Sequence, residues 1–145
     1  MENKPSTLTL IKTETGAIFG AYISIELKAS KAQLYLPDPK SFLISFCRGD
    51  KYPEAFPLKS SWNHDRAIGY HHKHFLYLGA TKAGSDLYIG DQCDKPGRCY
   101  SNLGNCFYLP HNVKANSEES KSYLAGAHTF RVVEIETYEV KLRAL

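Results

Sequence analysis

The residues best equipped for chemistry lie close together. The stretch YIGDQCDKPGRCYSNLGNCFYLP, Tyr88 to Pro110, holds three of the four cysteines together with Asp91 and Asp94, and Asp86 lies just upstream. Cys93, Cys99 and Cys106 are separated by five and six residues, whereas structural zinc sites favour knuckles of two to four. A fourth ligand for zinc would have to come from His71, His72, His74 or His111. The segment DQCDKPG lacks the alternating oxygen ligands and closing glutamate of a calcium loop. Arg98 beside Cys99 and Lys95 near Cys93 could lower a thiol pKa, but a nucleophilic cysteine also needs an oriented base, and no C-x-x-C pair is present. Inert, buried cysteines in a folded loop are the commoner outcome.

Two further groups stand out. HHKH, residues 71–74, is the densest histidine cluster; on a strand it places His72 and His74 on one face and His71 on the other. Without a third partner it reads as a solvated strand edge. Glu134 and Glu136 share a parity, roughly 6.5–7 Å apart along one strand face. Carboxylates so spaced can do acid/base work, as in glycosidases. Phe130 and Val132 before them and Tyr138 and Val140 after them have the same parity, so a structural pair or an acidic contact surface fits equally well. No G-x-S-x-G elbow, P-loop or H-E-x-x-H occurs. The enzymatic alternative is a thiol or metal centre joining the Cys93–Cys106 loop to His71–His74. The residues call for no cofactor and no bound metal.

The elements that would carry these groups are short strands. TLTLIKTETGAIFGAYISI reads as a hairpin turning at Glu14-Thr15-Gly16, with Ala17, Phe19, Ala21, Ile23 and Ile25 on one face. LPDPK breaks the chain, and SFLISF reads as a strand buried on both faces. KYPEAFPLKSSWNHD reads as a loop. AIGY, HHKHFLYLG and DLYIG read as strands, HNVKANSEESKSY as weakly structured, and HTFRVVEIETYEV as one closing strand. SIELKASKAQ is the best, and a poor, candidate for a helix. Ten tyrosines against one methionine also lean toward strands. Many short strands with turn signals between them define a mainly-β fold, two antiparallel sheets packed as a sandwich with a few short flanking helices.

The bulk properties narrow the function. The 145 residues suit one domain spanning 1–145. Eighteen basic against fifteen acidic residues, with no Lys/Arg run, give no electrostatic footprint for nucleic acid. MENKPSTLTL has no signal-peptide core, and AIFGAYISI is too short for a membrane helix. The chain therefore reads as cytoplasmic, without membrane insertion, and its thiols as reduced.

The order of these segments resembles the TLDc domain of oxidation-resistance proteins. The likeness begins at LTLIKTETGAIFGAYIS with Phe19-Gly20 and continues through SFLISF. It is strongest at DLYIGDQCDKPGRCYSNLGNCFYLP, through Asp86, Ile89, Asp91, Cys93, Ser101, Gly104, Tyr108 and Pro110. It closes with Leu124, Gly126, Phe130, Glu134 and Glu136. The resemblance implies a sandwich with flanking helices and a non-enzymatic protein-interaction domain. It further implies a link to oxidative-stress resistance and a partner among the subunits of the vacuolar proton-pumping ATPase. Asp91, Glu134 and Glu136 are the residues expected to meet that partner, and the domain is expected to be a monomer. Relatives carry a helical segment upstream of the first strand, so this chain reads as a short or truncated member whose sheet edge is open to strand addition. Cys99 and Cys106 lie outside the family pattern.

Overall fold

A computed structural model describes residues 6–25, 34–46, 53–57, 67–70, 74–81, 84–110 and 112–141. Eleven strands and one short helix are described: β1 (Ser6–Thr13), β2 (Ile18–Ile23), β3 (Leu34–Leu36), β4 (Phe42–Ser45), β5 (Glu54–Pro57), β6 (Ile68–Tyr70), β7 (His74–Thr81), β8 (Gly84–Gly90), β9 (Cys99–Ser101), α1 (Glu118–Ser122), β10 (Thr129–Phe130) and β11 (Val132–Val140). They form two antiparallel sheets, one ordered β11-β1-β2-β4-β5 and the other β10-β9-β8-β7-β6-β3. The expected mainly-β sandwich is what the chain adopts.

The first hairpin folds as its alternation dictates. Thr13 donates its N–H to the Ala17 carbonyl at 3.0 Å, and Gly16 takes φ +88° in the turn, a backbone region open to glycine at little cost. Ile11, Phe19, Ala21 and Ile23 then fall on the buried face. They pack with Leu43, Leu78, Leu87, Ile89 and Phe130 in one core, and the Phe19 and Phe130 rings meet edge to face at 5.6 Å.

Four strand expectations need correction. SFLISF is not buried on both faces: Leu43 and Ser45 of β4 are buried, while Phe42 and Ile44 on the opposite face are only half-buried. Glu54–Pro57, read as loop, pairs with β4. It ends the described sheet, an edge position that tolerates Pro57, which has no N–H to donate. Cys99–Ser101, read as part of a loop, is β9 and pairs with β8. The closing strand is two strands in different sheets. β10 pairs with β9 and β11 with β1, the break falling at Arg131. Glu14 staples that break: its carboxylate accepts the Arg131 N–H at 2.6 Å, and its own N–H donates to the Arg131 carbonyl at 3.1 Å.

The polar segment before β10 also gains order. In α1 the Ser117 hydroxyl accepts the Ser120 N–H at 3.1 Å, and the Ser117 N–H donates to the Ser120 hydroxyl at 3.0 Å. This reciprocal cap closes two of the donors that a helix start leaves unpaired. SIELKASKAQ, the helix candidate, lies mostly outside the described residues.

The outer side of the six-stranded sheet carries an aromatic row. Tyr35, Tyr77, Tyr88, Tyr100 and His128 follow one another across the strands, with ring centroids 6.4, 5.4, 5.2 and 5.9 Å apart. Cross-strand aromatic neighbours of this kind stabilise a sheet by packing on its surface.

Candidate functional site

The cysteine stretch resolves into a folded support. Asp86, in β8, is fully buried, and its carboxylate accepts four backbone N–H groups from one turn. Gly104 donates to Oδ2 at 2.9 Å, Asn105 and Phe107 to the same oxygen at 3.1 Å, and Cys106 to Oδ1 at 2.8 Å. Burial pushes the Asp86 carboxyl up to about 6, against the four N–H groups, which favour its charged form. Opposite it, Gly79 adopts φ +76°, and a β-carbon there would lie 2.1 Å from Asp86 Oδ1. Asp86 therefore organises residues 104–107, and Gly79 makes room for it.

The three described thiols are sheltered. Cys99 and Cys106 are buried, and Cys93 is partly so. Burial pushes the Cys99 thiol up to about 11, and burial likewise raises that of Cys93. Thiolate, the reactive form, is disfavoured at both. Among the described residues no three His, Cys, Asp or Glu side chains converge as a metal-binding group. His71, His72 and His111 lie outside the described residues, and of His74 only its place at the start of β7 is described.

Of the three residues expected to contact a partner, Glu134 and Glu136 lie on β11 at one border of the five-stranded sheet, and Asp91 lies in the turn after β8 of the other sheet. Glu134 and Glu136 are exposed on β11, registered against Lys12 and Leu10 of β1. Their face differs from the one that parity predicts. A register shift between Lys12 and Thr13 pairs Thr13 with Val132 but Lys12 with Glu134, so the strand carries one extra residue and its facing re-phases. Phe130 and Val132 consequently enter the core while Glu134 and Glu136 point outward. With Leu10, Ile11, Lys12 and Ile18 the two glutamates line a shallow cleft of about 180 Å³. Glu136 also accepts a hydrogen bond from the Tyr138 hydroxyl, and this bond raises the Tyr138 pKa. Asp91 is exposed in the turn after β8. That turn is tied to the start of β11, because the Val132 N–H donates to the Cys93 carbonyl at 2.8 Å.

Sequence reasoning missed the burial of two carboxylates. Asp86 is one. The other is Asp38, fully buried between β3 and β4, whose Oδ2 accepts the Ser24 N–H at 2.8 Å while Oδ1 accepts the Ser24 hydroxyl. For Asp86 a signal existed: a lone acid within the strand SDLYIG needs buried partners.

The fold and this border define a β-sandwich whose one described acidic strand lies open along a sheet edge. The family model of the TLDc domain matches residues 1–141, and the chain belongs to that family. A comparison with curated proteins gave no match.

Proposed function

We propose that this chain is a non-enzymatic protein-interaction domain that engages subunits of the vacuolar proton-pumping ATPase from the cytoplasm, as a monomer, and thereby contributes to oxidative-stress resistance. Membership of the TLDc family supports the partner class. The observation that carries the reading is the exposed acidic border, where Glu134 and Glu136 stand beside the apolar side chains of Leu10 and Ile18. Charges so placed tune specificity and association rate more than raw affinity. The two buried carboxylates are consumed by structural hydrogen bonds, and burial disfavours the thiolates of Cys93 and Cys99. Neither group therefore offers an obvious reacting atom. Among the described residues no helix is long and apolar enough to cross a membrane.

The deciding experiment is capture of the intact pump by the immobilised domain at low salt, repeated with E134K/E136K. The native domain is expected to retain the pump and the double variant to release most of it. Failure of the native domain to bind at low salt overturns the partner. Alkylation across pH checks the non-enzymatic part, with every thiol expected to react slowly at neutral pH. A single fast thiol, or stoichiometric metal on elemental analysis, would overturn that part instead.

A further inference from the structure

β11 differs from the other long described strands. β1 pairs with it along its whole length on one side, and among the described residues no strand pairs with its other side. The Cys93 carbonyl occupies that outer side at Val132, and among the described residues the edge from Val133 to Val140 has no strand beside it. An open edge presents a row of backbone donors and acceptors that another strand can complete. The question is which strand.

The side chains decide it. β11 reads VVEIETYEV, with three glutamates and no basic residue. Antiparallel pairing with a second copy, centred on Glu136, would set Glu136 against itself; centred on Ile135, it would set Glu134 against Glu136; centred on Thr137, it would avoid like charges but set Glu139 against Ile135. Like charges directly opposite destabilise a strand pair, and opposite charges stabilise it. A strand that only needed protection from association would carry charge where this one exposes Val133 at 55% and Tyr138 at 48%. Ile135, half-buried against the core, adds apolar surface on the face opposite Glu134 and Glu136. On the β1 side Lys12 is registered against Glu134 and lines the cleft beside the glutamates with Leu10 and Ile18, so the sheet already sets one basic side chain across from these carboxylates, and the open side leaves room for others.

We propose that β11 accepts an extended partner segment in which lysine or arginine alternates with apolar or threonine residues, and that this segment adds to the five-stranded sheet as a sixth strand. This rests on the interaction reading above and supplies its mode of docking. The basic side chains lie across from Glu134 and Glu136, and the alternate residues meet Ile135 on the other face.

The test uses a blocked peptide as long as β11, nine residues, alternating lysine with valine or threonine. Controls are the same peptide N-methylated at alternate amides and a version with glutamate for lysine. Binding is read by backbone amide shifts and by hydrogen exchange. The lysine peptide is expected to slow exchange within 133–140. The N-methylated peptide keeps the charge but loses the ladder bonds, and it is expected to lose binding. E134K/E136K is expected to weaken the lysine peptide about tenfold. Equal binding of the N-methylated peptide would reduce the surface to a charge contact and overturn strand addition. So would equal binding of the glutamate peptide, or no binding of any peptide. Slowed exchange in β11 of the free domain together with a dimer in sedimentation would assign the edge to a second copy and also overturn the proposal. If the pump is captured while the lysine peptide fails, this inference falls and the interaction reading stands. If the peptide binds and the pump does not, the reverse holds.

Discussion

Asp86 is a carboxylate whose surroundings act in opposite directions. Burial opposes its charge, and four N–H groups from residues 104–107 favour it. With the folded pKa raised to about 6 from an ordinary 3.8, the folded state holds a proton that the unfolded chain has released. The stability this group contributes is therefore complete below about pH 4 and is lost as pH rises through 6, an effect on the order of 3 kcal/mol. A carbon-detected NMR titration should place the Asp86 midpoint near 6; a midpoint near 4 would mean that the N–H groups fully offset burial. Asp86→Asn removes the titration and turns an amide N–H₂ toward backbone donors. It should cost about 2–4 kcal/mol in denaturant unfolding. None of this was visible in the sequence beyond the oddity of an acid inside an apolar strand. Its partners are backbone amides 18 to 21 residues onward, and backbone groups leave no residue-type signature.

Strands whose alternation is local were legible, and those whose boundaries depend on distant partners were not. β1 and β2 could be read because turn and alternation agree. β10 and β11 read as one strand because HTFRVVEIETYEV is uniformly strand-forming. The break at Arg131 is made by Glu14, 117 residues away, and the re-phasing of Glu134 by a bulge opposite β1. Glu134 and Glu136 were thus identified as a same-face pair, while their neighbours on that face were not. The helix α1 was hidden for a different reason. Its 5 residues fall short of any helical period, and its order comes from a cap. Ser117→Ala removes the side-chain acceptor of that cap and should cost about 1 kcal/mol. The loss should appear as faster amide exchange over residues 118–122 before global unfolding.

The sandwich architecture itself followed from many short strands broken by turn signals, which need two sheets to bury one face each. The overuse of tyrosine pointed to strands without showing where the rings would gather. Four of the ten gather in the row from Tyr35 to Tyr100, on strands far apart in sequence, and the centroid spacings of 5.2 to 6.4 Å have an optical consequence. Identical chromophores this close exchange excitation faster than they emit, so light absorbed by one tyrosine loses memory of its polarisation by wandering along the row. In a Trp62→Phe background, tyrosine emission should be strongly depolarised. Tyr88→Phe, which divides the row, should restore part of the anisotropy, and an unchanged value would mean the rings are not coupled. The row makes this face of the protein a single antenna, and a quencher that settles on any one ring should dim its neighbours as well.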